Sequence, residues 1–166
     1  QALELIRKQV PVIDRFITVS EFGAQFMSEY LEIPKDNISV VPLGINMDGF
    51  GCHSKGNDDC FRVGYFARVA PEKGLHELVR AFIKLRERTQ DEKVQLEVAG
   101  YTAPVHANYM SEAREMMEAA GLGKEFHYHG VVDREGKIAY LKNLDVLSVP
   151  ATYDEPKGLF LIEAMA

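Results

Sequence analysis

Residues 61–88, FRVGYFARVAPEKGLHELVRAFIKLRER, decide the fold class of this chain. The stretch opens with an apolar run, FRVGYF, that is typical of a buried strand, and continues into a polar loop. Beyond the loop, apolar residues recur at helical spacing while charged residues occupy the other face, which indicates an amphipathic helix. The apolar positions are Leu75, Leu78, Val79, Phe82, Ile83 and Leu85. A strand, a loop and a helix in this order predict the first part of a βαβ unit.

The same alternation extends in both directions along the chain. Further strands are predicted at 15–20, 38–42, 94–100, 126–130 and 145–150, and further helices at 21–31, 108–121, 133–143 and the end of the chain. Ser20 and Asp133 are suited to cap helix N-termini, and Gly121 is suited to end a helix. Strands that alternate with helices of about ten or more residues favour an α/β fold, a Rossmann-like doubly wound parallel sheet with helices on both faces.

Composition limits the classes of function. The chain has 166 residues, a formal net charge of -6 and 46% hydrophobic residues, so one domain over residues 1–166 is expected. Dispersed Lys and Arg residues disfavour a nucleic-acid surface, and the lack of a long apolar run or leader favours a cytoplasmic protein. Cys52 and Cys60 are expected to be thiols rather than a disulfide. Because the chain starts at Gln1 and stops inside an apolar run, we expect a piece of a longer protein.

One loop carries two cations at a favourable place. Ligands of open parallel sheets bind beyond the carboxyl ends of the strands, where loops lead into helices. The loop ARVAPEKG at 67–74 presents Arg68 and Lys73 near the positive end of a helix dipole. This combination suits a phosphate or a diphosphate. From spacing alone, two solvated loop charges explain the same pattern equally well.

The final segment, YDEPKGLFLIEAMA at 153–166, places a carboxylate among apolar residues. Pro156 fits the first turn of a helix, so we expect the helix to begin at 156–158, with Glu155 just before it. Glu163 then lies in a helix that is apolar all round and is expected to be buried on every face. A buried carboxylate needs a partner, and sugar hydroxyl groups would serve. The alternatives are an Arg or Lys from a neighbouring segment, or a gap that opens to solvent.

Other features carry weaker signals. Gly44, in VPLGIN at 41–46, allows close approach of a ligand to the backbone, although an ordinary turn is favoured. Tyr101 follows a strand end and is a candidate to stack on a base, which a single exposed tyrosine rarely does. His127 and His129 share one face of a strand, but no third ligand is suggested nearby, so no metal site is predicted.

Taken together in chain order, seven segments resemble the C-terminal, donor-binding domain of a retaining glycosyltransferase with the GT-B fold, in the large family 4 (group 1). The segments are FITVSEF, ISVVPLGIN, GYFARVAPEKG, VQLEVAG, FHYHG, LDVLSVPA and DEPKGLFLIEAMA. The last is the most specific, because it is similar to the family signature of two glutamates with seven residues between them. The resemblance implies one half of a GT-B fold that lacks its C-terminal end.

The resemblance also implies a role for each matching residue. Arg68 and Lys73 would bind the donor diphosphate and stabilise the leaving nucleotide without a metal. Glu163 would accept hydrogen bonds from the ribose hydroxyls, and Glu155, the catalytic candidate, would lie against the transferred sugar. The remaining candidates are the backbone amides of Gly158 and Leu159, for the sugar or distal phosphate, and the nucleotide contacts Gly44, Tyr101 and Val132.

Three places depart from the family pattern. Lys157 stands where the family often has Phe, and Ala67 stands where it has a glycine. Residues 43–46, Leu-Gly-Ile-Asn, replace the pattern Asn-Gly-Val-Asp. Because Lys157 adds a cation at the sugar end of the expected site, the sequence leaves the donor sugar unassigned.

The implied reaction transfers a sugar from a nucleotide-diphosphate sugar to an acceptor hydroxyl, with retention of configuration and no cofactor. The acceptor and a catalytic base would come from an N-terminal domain outside this chain. The chain alone is expected to bind the donor weakly and to be inactive. The resemblance is also compatible with peripheral membrane association of the full protein.

Other functions remain open from the sequence. One is a non-catalytic α/β domain that binds a nucleotide sugar or another partner, and another is a sugar-nucleotide epimerase or hydrolase on the same fold. A nucleotide-binding response domain is disfavoured, because the acidic cluster that would hold a metal at the strand ends is missing.

Overall fold

A computed structural model describes residues 2–51, 59–89 and 93–166. The chain divides into two compact units. The first comprises Gln1–Asn46 and Glu155–Leu159, and the second comprises Met47–Asp154 and Phe160–Ala166. Cys52 lies outside the described residues, so the expectation for Cys52 and Cys60 stays a prediction. In the described ranges, no helix is both long enough and apolar enough to cross a membrane.

The first unit contains two short strands that alternate with helices. The Ser20 hydroxyl accepts a hydrogen bond from Gly23 N at 3.0 Å and caps the second helix, as the sequence predicts. The two strands pair in parallel, with Phe16 opposite Ile38. The elements are α1 (Ala2–Gln9), β1 (Phe16–Thr18), α2 (Glu21–Leu31) and β2 (Ile38–Val40), with 3₁₀ turns at Val10–Val12 and Lys35–Asn37.

The second unit is built on four parallel strands. Its elements are β3 (Phe61–Phe66), α3 (Leu75–Thr89), β4 (Val94–Ala99), α4 (Ala107–Ala119), β5 (Phe126–Tyr128), α5 (Arg134–Lys142) and β6 (Val146–Leu147). Single 3₁₀ turns lie at Pro71–Lys73, Pro104–His106 and Gly123–Glu125. The strand order is β5-β4-β3-β6, and every pair is parallel. The carboxyl ends of all four strands therefore lie at one edge of the sheet.

Helices cover both faces of this sheet. On one face, α3 and α4 enclose the apolar core around Tyr65 and Phe82. On the other face, Leu144, two residues after α5, lies so close to β3 that a Cβ at Gly64 would come within 2.1 Å of its side chain. The doubly wound α/β fold is therefore confirmed, although most of its strands are shorter than predicted.

Tyr140 of α5 anchors this helix to the sheet through hydrogen bonds. Its buried hydroxyl oxygen lies 2.7 Å from Glu97 O on β4 and 2.9 Å from Tyr65 O on β3, and it accepts a hydrogen bond from Tyr65 N at 3.2 Å. The hydroxyl proton can serve only one carbonyl at a time. One side chain thus contacts main-chain groups of the two central strands.

The last helix corrects one prediction. Helix α6 (Leu159–Met165) begins at Leu159 rather than at 156–158, and its residues are at most partly buried. Met165 is 87% exposed, and Leu161 and Ile162 are exposed too. At 3.6 residues per turn, Glu163 lies on the side opposite Leu161 and Met165. The expectation of burial on every face is wrong, because a two-turn helix contacts its neighbours with one side only.

We predict that Tyr140→Phe lowers the free energy of unfolding by about 1–3 kcal/mol, because Tyr65 N loses its buried acceptor. Urea denaturation of the purified protein measures the change. Tyr101→Phe is the matched control, since Tyr101 is exposed and should tolerate the same chemical change. Equal stability of the two variants would contradict the structural role of the Tyr140 hydroxyl.

A second prediction concerns alkaline pH. Burial raises the pKa values of Tyr65 and Tyr140 above their ordinary value of 10.0. Because the pKa is higher in the folded than in the unfolded state, the stabilisation is complete below about pH 10 and is lost as the pH rises further. Each group should contribute up to about 1.4 kcal/mol of lost stability per pH unit. Urea midpoints measured above about pH 10 should therefore fall less steeply for Tyr140→Phe than for the unmodified protein.

Candidate functional site

The candidate site is built from loops at the carboxyl edge of the sheet in the second unit. The loop 67–74 leaves β3, enters the 3₁₀ turn at Pro71–Lys73 and leads into α3. The loop 148–154 leaves β6 beside it, since β6 is paired with β3. Both arise at strand ends, where open parallel sheets bind their ligands.

The loops after β3 and β6 approach each other very closely. Gly74 has a φ of 73°, and a Cβ on it would lie 1.8 Å from Pro150 O. Thr152 N donates a hydrogen bond to Glu72 O at 2.9 Å. No side chain fits at Gly74 without displacing the backbone, so glycine here fixes the spacing of the two loops.

The two cations of the loop differ in their surroundings. Lys73 Nζ donates to the Tyr153 hydroxyl at 2.5 Å and lies 4.9 Å from the centre of that ring. The Arg68 side chain is 60% exposed and pairs with Glu72 at 3.1 Å. The Arg68 carbonyl accepts a hydrogen bond from the Tyr65 hydroxyl at 3.0 Å, which ties the loop backbone to the core. Both cations therefore stand on an anchored backbone.

The loops after β3, β4 and β5 are also joined to one another. A Cβ on Gly100 would lie 1.8 Å from Ala67 O, and Gly100 N donates to Gly130 O at 2.8 Å. The Tyr101 carbonyl accepts from Val69 N at 2.9 Å while its side chain is exposed. Val132 is half-buried in the loop that precedes α5. Tyr101 and Val132 are thus placed at the same edge as Arg68, although their expected nucleotide contacts stay predictions.

Glu163 forms an ion pair within the second unit. Lys137 Nζ on α5 lies 2.6 Å from Glu163 Oε1, and the two side chains are 20% and 15% exposed. This is the alternative in which a lysine from a neighbouring segment pairs with the carboxylate. A largely buried charge with an opposite charge at this distance avoids the full cost of desolvation.

Lys137 was not among the residues predicted from the sequence. A signal was present, because a carboxylate in an apolar helix requires a cation or a donor. Lys137 is also three residues before Tyr140, so it shares the inward side of α5. The sequence did not indicate which of its many Lys and Arg residues would reach Glu163, because the pair is 26 residues apart.

A second polar pair was also missed. Glu97 of β4 is only 7% exposed, and His129 Nε2 lies 2.5 Å from its Oε2. The His129 ring meets the Tyr140 ring edge-on at 5.4 Å between centroids. The signal was Glu97 itself, which stands in the apolar strand VQLEVAG. Among the described residues, His127 and His129 do not form part of a group of three or more side chains that could hold a metal.

The remaining candidate residues belong to the first unit. Glu155 Oε1 lies 3.4 Å from Lys157 N and 3.5 Å from Gly158 N, which are long contacts for hydrogen bonds. Gly158 has a φ of 57°, and Leu159 opens α6. Gly44 is exposed, and nothing lies within 4 Å of a Cβ built on it. Glu155 and the Gly158 amide thus lie together, and Gly44 offers an open backbone.

Comparisons with known proteins agree with the α/β fold and with the family resemblance of the sequence. A family model described as "Glycosyl transferases group 1" matches residues 54–166. The chain is 29% identical over 156 residues to phosphatidyl-myo-inositol mannosyltransferase from Mycobacterium tuberculosis, covering 90% of this chain and 37% of that protein. The chain therefore spans well under half the length of this curated relative.

Solved structures share the fold at low sequence identity. The HepE protein of Anabaena, solved in complex with UDP and glucose, has a TM-score of 0.83 at 18% identity, over 98% of this chain and 45% of that one. Sucrose-phosphate synthase from Thermosynechococcus elongatus has a TM-score of 0.79 at 23% identity, over 98% of this chain and 41% of that one. At these identities the likeness establishes the fold.

Because the two loops approach so closely at Gly74, we predict that replacing Gly74 destabilises the protein more than replacing Gly121. Gly74 and Gly121 both have a φ of 73°, but only Gly74 faces a backbone atom. Alanine at either position should cost roughly 1–2 kcal/mol for the left-handed conformation. Gly74→Ala should cost about 1–3 kcal/mol more, for overpacking against Pro150. Urea denaturation checks this difference, and equal costs for Gly74→Ala and Gly121→Ala would show that the loops separate freely.

Proposed function

Because the chain belongs to the group 1 glycosyltransferase family, we propose that it binds a nucleotide-diphosphate sugar and supplies the donor-binding part of a retaining glycosyltransferase. The observation that carries this proposal is the anchored loop 67–74, which presents Arg68 and Lys73 at the carboxyl edge of the sheet. The fold is that of one half of a GT-B glycosyltransferase, and the structure of HepE with UDP and glucose is consistent with this class of donor.

In the proposed reaction, the bond between the anomeric carbon of the sugar and the diphosphate oxygen breaks, and the anomeric carbon bonds to the acceptor oxygen on the same face. Negative charge develops on the departing nucleoside diphosphate. Arg68 and Lys73 stabilise that charge, which gives them the task that a metal performs in other transferases. Arg68 exchanges Glu72 for a phosphate oxygen when the donor binds.

The other candidates hold the rest of the donor. Glu163 accepts hydrogen bonds from the ribose hydroxyls, and Glu155 lies against the transferred sugar as the catalytic candidate. The amides of Gly158 and Leu159 donate to the sugar or the distal phosphate, and Gly44, Tyr101 and Val132 contact the nucleotide. We propose that the acceptor hydroxyl, and the base that takes its proton, belong to the part of the full-length protein outside this chain.

Three expectations accompany this proposal. The isolated chain should bind the donor weakly and transfer nothing, because it spans well under half of its curated relative. The cytoplasmic location expected from composition stays a prediction, and so does peripheral membrane association of the full protein.

The proposal predicts a charge-specific loss of nucleotide binding. In the full-length protein, Lys73→Met should weaken binding of UDP, GDP or ADP, whichever binds, by about tenfold or more, since a charge-assisted contact to phosphate is lost. Binding of the corresponding nucleoside should not change. Lys84→Met is the matched control, because Lys84 is exposed on α3. Titration calorimetry provides both dissociation constants.

Two outcomes would contradict the proposal. If none of the three nucleoside diphosphates or their sugars binds, donor binding is excluded. If Lys73→Met and Lys84→Met behave alike, the loop 67–74 is not the diphosphate site. Protein that binds a donor but transfers to no acceptor would instead favour the non-catalytic alternative, and the anomeric NMR signal of any product tests retention.

A further inference from the structure

We propose that Lys137 is a positioning residue that sets the preference of this site for a ribose over a deoxyribose, acting through Glu163. This inference rests on the proposed function, in which Glu163 accepts hydrogen bonds from the ribose hydroxyls. The observation behind it is the pair of largely buried charges, with Lys137 Nζ 2.6 Å from Glu163 Oε1.

The contact is made to one oxygen only. A carboxylate has about four lone-pair sites on two oxygens, and a lysine ammonium can donate but cannot accept. No described residue donates to Glu163 Oε2. Lys137 thus restrains rotation of the carboxylate by engaging Oε1, and Oε2 keeps its capacity to accept. A restrained carboxylate selects ligands that place hydroxyl donors at a fixed position.

Lys137 stands on a rigid support. Helix α5 is capped at its start by Asp133, whose Oδ1 accepts from Gly136 N at 2.8 Å. Three residues after Lys137, the Tyr140 hydroxyl contacts the main chain of β3 and β4. The backbone that carries Lys137 is therefore anchored to the centre of the sheet. By contrast, no residue of α6 is fully buried, so the charge on Lys137 is well placed to fix the Glu163 side chain.

A merely structural ion pair and a positioning pair predict different ligand behaviour. A structural pair would change stability and affect ribonucleotides and deoxyribonucleotides equally. A positioning pair changes the ratio of their affinities, because only the ribonucleotide offers the 2′-hydroxyl. It also raises KM for the donor with little change in kcat, since the ribose contact is the same in the ground and transition states.

The experiment compares UDP, GDP and ADP with their 2′-deoxy analogues by calorimetry on the full-length protein. Lys137→Met should weaken binding of the ribonucleotide by about tenfold and binding of the deoxy analogue, which keeps only the 3′-hydroxyl, by less. Lys137→Arg, which keeps the charge, should give a smaller loss. Lys142→Met is the control, because Lys142 lies on the same helix without contacting Glu163. An unchanged ratio of affinities in Lys137→Met overturns the inference.

A double substitution guards against loss of folding, since Lys137→Met leaves a largely buried carboxylate without its partner. In the Glu163→Gln background that charge is absent, and adding Lys137→Met should not alter the ratio of affinities any further. A further change in the ratio would mean that Lys137 acts independently of Glu163 and would overturn the inference. Failure of the unmodified protein to bind any nucleotide would overturn the proposed function instead, so the two failures are distinguishable.

Discussion

The candidate site depends on backbone segments that lie too close together for a side chain to separate them. Gly74 leaves no room for a Cβ beside Pro150 O, and Gly100 leaves none beside Ala67 O. These two contacts fix the loop after β3 against the loops after β6 and β4. Arg68 and Lys73 are carried by that loop, so their positions follow from main-chain packing rather than from their own side-chain contacts.

A second constraint is that the carboxylates buried on the α5 face of the sheet require basic partners. Glu97 and Glu163 are both largely removed from water, and each has a basic partner, His129 and Lys137 respectively. Breaking such a pair is costly because one charge is left alone, whereas the intact pair adds little net stability. The net stability of such a pair is therefore a weak explanation for its presence.

Most of the fold could be predicted from the sequence, and part of the site could not. Periodicity located the helices and strands that the structure describes in the second unit, and Ser20 and Asp133 cap their helices as expected. The burial of α6 was predicted wrongly, because apolar composition does not say how many sides of a helix meet a neighbour. Lys137 was missed because a long-range ion pair leaves no local pattern, although Glu163 signalled that some cation was required.

The pairing of Arg68 with Glu72 affects how an anion would meet this surface. The guanidinium charge is already matched at 3.1 Å before any ligand arrives, and the chain as a whole carries a net charge of -6. Arg68 therefore exerts little long-range attraction on anions and adds little electrostatic steering to their encounter. Arg68 therefore selects its ligand at contact distance, where a small anion with the right geometry can displace the Glu72 carboxylate. A long polyanion gains no advantage from its additional charges.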